Sequence, residues 1–198
     1  MRHIKHFNNW KVLSMNANTR GFNYYALQVK TREELKFMKQ AQAMNPDLLM
    51  RLYFPQRDLN IRKHGVVKPS RMAVFPGYVF LELNDDEDVR GYRWALKKID
   101  GFFRFLKSNY QITPLQNKDL ELVLHFIKKV GPVAGVSKVY FDENSKIVVM
   151  HGPLSGLEGK IIKVDKRKKR AKIVLDLYGD SFFLDLAFEV IEKVNNAK

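Results

Sequence analysis

Two units of different class are predicted by this 198-residue chain. The first is an α+β unit, an antiparallel sheet with helices flanking it. The second is a small all-β barrel. Three observations predict this. Up to residue 130, apolar runs and helical patterns follow in the order strand, helix, a run of strands, helix, strand, helix, which suits helices segregated on an antiparallel sheet. From residue 138 onward only short strands occur, and so short an all-β unit buries a core without exposed edges only by closing on itself. Between them, Gly131-Pro132-Val133-Ala134-Gly135 breaks both patterns. The expected divisions are a flexible basic arm over 1–20, the α+β unit over 21–130, a linker over 131–137 and the barrel over 138–198.

Phe22 to Val29 reads as the first strand. Thr31-Arg32-Glu33-Glu34 has the spacing of a capping box, and the helix after it places Leu35, Met38 and Ala41 on one side before stopping near Asn45-Pro46. Leu49 to Ile61 is extended, with Pro55 marking an edge or a bulge. His64-Gly65 turns the chain into a return strand over Val66 to Val74. This hairpin carries Arg51, Arg57, Arg62, Lys63, Lys68 and Arg71 against Asp58. Phe75-Pro76-Gly77-Tyr78-Val79-Phe80-Leu81 is the most apolar local run, turned into a strand by Pro-Gly. Asn84 to Asp88 suits a helix N-terminus, and Val89, Tyr92, Leu96 and Ile99 follow at helical spacing. Phe102 to Leu106 is a strand, and Leu120, Val123, Leu124 and Ile127 form the apolar face of a further helix. The second unit shows strands at Lys146 to Met150, Lys160 to Val164, Ala171 to Leu177, Ser181 to Leu184 and Phe188 to Val194.

The formal net charge is +14, which points to a polyanionic partner, most commonly nucleic acid. With no cysteine, disulfides, thiolate nucleophiles and zinc–thiolate sites are excluded, and a reducing, cytoplasmic setting fits. No apolar run approaches the ~18 residues of a spanning helix, and the basic N-terminus lacks the apolar core of a secretory signal. An enzyme is not expected. The histidines, His3, His6, His64, His125 and His151, make no catalytic pattern, Asp85 to Asp88 reads as a helix start, and no nucleotide-cradling glycine loop appears. No catalytic residue, metal or cofactor is therefore assigned.

The strongest charge feature is Asp165-Lys166-Arg167-Lys168-Lys169-Arg170, the connection between two Ile- and Val-rich strands. Adjacent cations at a hairpin tip repel unless an anion sits opposite. One reading is a solvated, solubilising loop. The other is a phosphate-binding edge, favoured because Lys160, Lys163 and Lys172 extend the basic surface beyond the tip.

Two stretches carry a resemblance. Tyr24-Tyr25-Ala26-Leu27-Gln28-Val29, the helix after it and Phe75-Pro76-Gly77-Tyr78-Val79-Phe80 look like the N-terminal domain of the NusG family of transcription elongation factors, with Tyr24 where the family usually has Trp. Gly152-Pro153-Leu154-Ser155-Gly156-Leu157-Glu158-Gly159, Ile162-Lys163-Val164-Asp165 and Lys169-Arg170-Ala171 resemble the SH3-like KOW barrel that follows it, and are most similar to the LoaP paralogues. Leu154, where the general family has Phe, and Tyr178-Gly179-Asp180, where it has Phe-Gly-Arg, favour the paralogue, as does Ala187 to Lys193. The likeness spans roughly residues 23 to 195.

The resemblance implies a monomeric antitermination factor with no membrane partner. Its first domain would dock on the clamp coiled coil of the RNA polymerase β′ subunit and reach towards the β subunit, where Tyr92-Arg93-Trp94 is a candidate contact. Carried over by position, the polymerase face is Phe75, Pro76 and Tyr78, with Tyr25 and Phe80 standing between interface and core. The barrel would bind a structured leader RNA stem-loop through Lys160, Lys163, Lys166, Arg167, Lys168, Lys169, Arg170 and Lys172, since an A-form stem is read by shape and backbone. Alternatives within the same likeness are a general elongation factor whose barrel recruits Rho or a ribosomal protein, and a ribosome-associated RNA-binding protein.

Overall fold

The structure, a computed structural model, describes residues 21–48, 50–106 and 108–192. The arm expected over 1–20 lies outside the described residues, as do Leu49 and the chain beyond 192.

The first unit runs β1 (Phe22–Val29), α1 (Glu34–Met44), β2 (Arg51–Tyr53), β3 (Gln56–Lys63), β4 (Val66–Ala73), β5 (Tyr78–Asn84), α2 (Val89–Lys97), β6 (Phe102–Phe105) and α3 (Asn117–Leu124), which continues as a π-helical turn, His125–Lys129. Its main sheet has the order β2-β5-β1-β6, antiparallel throughout. Strand alternation divides the side chains between two faces. Tyr25, Leu27 and Val29 of β1 and Val79, Leu81 and Leu83 of β5 pack under α1 and α2, against Phe37, Ala41, Tyr92 and Leu96. Tyr24, Ala26, Tyr78 and Phe80 point the other way. Pro55 is the joint between β2 and β3, where the chain leaves the main sheet for the β3–β4 hairpin.

After β7 (Val133–Ala134) in the connection, the second unit contains β8 (Ser137–Phe141), β9 (Ile147–His151), β10 (Ile161–Asp165), β11 (Arg170–Leu177) and β12 (Asp180–Val190). Five strands form a curled sheet in the order β10-β11-β12-β8-β9. The expected class, α+β followed by a small strand-rich barrel, is the class observed.

Several local expectations are corrected. The capping box does not form. Glu33 is the N-cap of α1 and makes no side-chain cap bond, because the buried Glu34 carboxylate instead accepts the Gly77 amide at 2.8 Å. That contact ties the first helix to the Pro76-Gly77 turn. Gly77 has φ +82, and a Cβ there would sit 2.8 Å from Thr31 Oγ1, so any other residue would be strained and would have to displace the Thr31 side chain. The core side of α1 is Phe37 and Ala41, with Leu35 exposed. The two strands expected over Ser181–Leu184 and Phe188–Val194 are one strand, β12. It serves two neighbours in succession, β11 up to Ala187 and β8, in parallel, from Phe188. The linker is not free of structure. Val133–Ala134 pairs in parallel with Gln56 and Arg57 of β3 and so joins the basic hairpin as a third strand. β8 directly follows. Gly152 approaches it so closely that a Cβ would lie 2.7 Å from Ser137 Cα, while Ser137 Oγ accepts the Leu154 amide at 3.0 Å.

The two units do not sit apart. One buried cluster runs from Tyr24, Phe75 and Phe80 of the sheet, through Val123 and Phe126 of α3, to Leu154, Ile173, Leu184 and Phe188 of the barrel. Among the described residues no helix is long and apolar enough to cross a membrane.

Candidate functional site

The Phe75–Phe80 run places its rings on the sheet face that α1 and α2 leave open. Phe75 is the hub of this face. Its ring meets Phe80 at 5.4 Å and Phe126 of α3 at 5.7 Å, both edge-on, the geometry aromatic quadrupoles favour. The remaining side of the patch is covered by the barrel. Phe182 of β12 lies edge-on to Tyr78 at 5.6 Å and to Phe75 at 6.1 Å. Phe75, Tyr78 and Phe80 are buried, while Pro76 is exposed.

The same face carries a buried acid. Glu82 is 3% exposed. Its carboxylate accepts from Tyr24 Oη at 2.6 Å, Tyr53 Oη at 3.0 Å and Lys128 Nζ at 2.7 Å, and Arg51 Nε stands 3.1 Å away. Burial pushes its pKa up, but the hydrogen bonds from Lys128, Tyr24 and Tyr53 outweigh burial and hold it below the usual value. Burial and the Glu82 carboxylate together raise the Tyr24 pKa. A buried carboxylate satisfied by this many donors is firmly set, and it fixes the π-helical turn against the sheet through Lys128.

That turn grips both units. Lys128 reaches into the sheet, whereas His125 Nε2 bonds Pro153 O of the barrel at 2.9 Å and Lys129 Nζ donates to Ser155 O at 3.3 Å. Pro153 O can only accept, so Nε2 carries the proton. Burial pulls the His125 pKa below 6.5, and Lys129 pulls it the same way. The Pro153 bond and Glu158 oppose this and lose. A form with the barrel apart from the first unit would take up a proton more readily. Packing of the two units is therefore expected to be at full strength above pH 6.5 and to weaken as pH falls from there through the lowered pKa of the packed form. Small-angle scattering should show the full chain expanding between about pH 7.5 and about pH 5.5, and His125→Gln, which keeps a neutral donor, should not respond. Equal expansion of both proteins would remove His125 from the junction's pH dependence.

The basic tip is the turn Lys166–Lys169 between β10 and β11. Asp165 folds it by accepting the Lys168 amide at 2.8 Å, a bond that also lowers the Asp165 pKa, with Lys168 Nζ at 3.7 Å. Lys166 lies over the Phe141 ring at 4.0 Å. Lys163 and Lys172 are exposed cross-strand partners, a like-charge pair eased by Asp185, which stands opposite Lys172 on β12. Lys160 stands apart, 3.6 Å from Asp176. Arg170 turns away from the tip towards the first unit, donating from Nη2 to Asn60 O of the β3–β4 hairpin, with Nη1 3.8 Å from Asp185.

The structure thus brings Phe75, Tyr78 and Phe80 onto one face with Pro76 at its margin, and Lys163, Lys166, Arg167, Lys168, Lys169 and Lys172 onto one hairpin. Tyr25 is placed elsewhere. Its ring packs edge-on to Phe105 at 6.3 Å beneath α1 and α2, because its parity in β1 is opposite to that of Tyr24. Trp94 is exposed on α2, flanked by Arg93 and Lys97, while Tyr92 is buried. Sequence reasoning missed Phe182, Glu82 and Lys128. The first reads as another inward position of β12, in step with Leu184, Leu186 and Phe188, and no local signal says that its ring meets another unit.

Comparison with known proteins matches residues 22–124 to the family model described as transcription termination factor nusG. The transcription termination/antitermination protein NusG of Bacillus subtilis is 25% identical over 171 residues, covering 86% of this chain and 94% of the relative. The protein of the same name from Buchnera aphidicola is 26% identical over 147 residues, covering 74% and 80%. A solved structure titled "Domain interaction in Thermotoga maritima NusG" aligns with TM-score 0.46 at 17% identity, covering 84% of this chain and 93% of that one.

Proposed function

Because the chain belongs to the NusG family of transcription termination and antitermination factors, we propose that it is a specialised, LoaP-type antiterminator. On this reading Phe75, Pro76, Tyr78 and Phe80 receive the clamp coiled coil of the polymerase β′ subunit, and the α2 side, with Trp94, faces the β subunit. Gripping both sides of the cleft holds the clamp closed and suppresses pausing. The barrel binds a structured leader RNA through Lys163, Lys166, Arg167, Lys168, Lys169 and Lys172. The setting is cytoplasmic.

The observation that carries this reading is the seat of Phe182. An apolar, ring-lined receptor has its opening filled by a ring of the chain's own barrel. Such a receptor fits an apolar helix tip, and aromatic anchors dominate interface energetics. The barrel must leave before polymerase can bind, so the docked form is a resting state. The charge of the tip supports RNA as the ligand of the second unit.

In vitro transcription on a terminator template tests this. The expected result is readthrough that requires the native leader RNA in cis. Readthrough of equal size without any leader would identify a general elongation factor whose barrel recruits Rho or a ribosomal protein. No effect on transcription, with RNA binding intact, would leave a ribosome-associated RNA-binding protein.

A further inference from the structure

Arg170 belongs to the cationic run of the tip, yet in the docked form it is spent on the first unit. Its side chain is 19% exposed, whereas Lys166, Arg167, Lys168 and Lys169 are exposed around it. Its guanidinium donates to the backbone oxygen of Asn60. Asn60 lies four residues from the His64-Gly65 turn, in a hairpin whose Arg62 and Lys68 are also exposed. Among the described residues Arg62, Lys68, Arg167 and Lys169 form no ion pair, and the hairpins' acids Asp58 and Asp165 pair with Arg71 and Lys168, so docking brings two net-cationic hairpins together. Arg57, buried at the same junction, adds a third positive group near Asp185 and Arg170. The same guanidinium stands 3.8 Å from Asp185 of its own unit; a phosphate would offer it a full negative charge and a bidentate geometry in place of the neutral Asn60 oxygen.

We propose that Arg170 is a positioning residue that couples RNA binding to release of the barrel: an RNA stem-loop first lands on Lys166 to Lys169 of the docked form, then draws Arg170 from Asn60 O onto a backbone phosphate. This rests on the reading of the tip as an RNA site and adds to it the way RNA reaches the aromatic face. The phosphate contact of Arg170 exists only in the undocked form, so RNA binds that form more tightly. By linkage it raises the undocked fraction by the same factor. One additional phosphate contact is worth about a tenfold change in affinity near 0.1 M salt. If the undocked form is the minor one, apparent polymerase affinity rises by that factor.

The experiment uses the full chain, a fluorescein-labelled RNA stem-loop of about 16 base pairs and purified core polymerase. RNA binding is read by anisotropy and polymerase binding by a separate pull-down titration. For the wild type, saturating RNA should strengthen polymerase binding about tenfold. Arg170→Ala, which loses both contacts, should bind polymerase more tightly than wild type without RNA and gain nothing from it. A variant with Arg167, Lys168 and Lys169 all replaced by alanine keeps the Asn60 contact; it should bind polymerase no more tightly than resting wild type and gain nothing from RNA at the concentration that saturates the wild type. Intact RNA binding with unchanged or weakened polymerase binding in the wild type would overturn the coupling and leave the RNA site standing. Absence of any RNA binding by the wild type would overturn the RNA site itself, and the coupling with it.

Discussion

Phe182→Ala should raise the apparent affinity of the full chain for core polymerase by roughly thirtyfold. The substitution deletes two edge-on ring contacts, at 5.6 Å to Tyr78 and 6.1 Å to Phe75, together with the apolar area they cover. At about 0.5–1.5 kcal/mol per aromatic pair beyond area burial, the loss is on the order of 2 kcal/mol of docking free energy. Apparent affinity scales with the fraction of molecules whose face is open, so loosening the docked form is read out directly as tighter binding. Tyr78→Ala placed on top of Phe182→Ala should reverse the gain by a factor of thirty or so, the effect of removing an interface anchor worth about 2 kcal/mol. Tyr78 is the right residue for this second step and Phe75 is not. The Phe75 ring also packs on Phe80 and Phe126, and its truncation would weaken the fold as well as the face. Titration of labelled protein against immobilised polymerase gives both numbers. No gain from Phe182→Ala would mean that the surface under the barrel is not where polymerase binds.

Replacing Arg167, Lys168 and Lys169 together by alanine should weaken binding of an RNA stem-loop by roughly five hundred- to a thousandfold near 0.1 M salt, and flatten its salt dependence. If the tip neutralises about four phosphates, the slope of log K against log salt is about −3 to −4, and the triple variant should show about −1. The flattening is the informative part. A misfolded barrel loses affinity without a matched change of slope, whereas lost phosphate contacts change both in proportion. The turn should survive the substitutions, because Asp165 folds it through the Lys168 amide rather than through a side chain of the run. A slope equal to that of the wild type would return the tip to the role of a solvated loop.

Strand and helix periodicity were enough to read the fold class and most of the elements, though not β8 over Ser137–Phe141, and the charge of the tip was legible directly. The aromatic face came only from the family likeness. What failed was local. Thr31 and Glu34 have capping-box spacing, yet the Glu34 carboxylate found a stronger use in the Gly77 amide, a partner 43 residues away. Residues 181–194 read as two strands because hydrophobic periodicity cannot see that one strand changes neighbours at Ala187 and Phe188. The family likeness offered Tyr25, not Tyr24, as a candidate for the aromatic face, and only strand parity against β5 sends Tyr24 to that face and Tyr25 to the core beneath the helices.

By itself the sequence determined most of the segments that become strands and helices, and that a cationic hairpin crowns the second unit. These follow from local backbone preference and from a side-chain period of two or 3.6. Only the tertiary structure decided that the units share one buried cluster, that Phe182 closes the aromatic face and that Arg170 is turned from the tip onto Asn60. Burial between units depends on shape and apolar area meeting across long separations in sequence. A periodic pattern marks an apolar face but does not encode what will cover it.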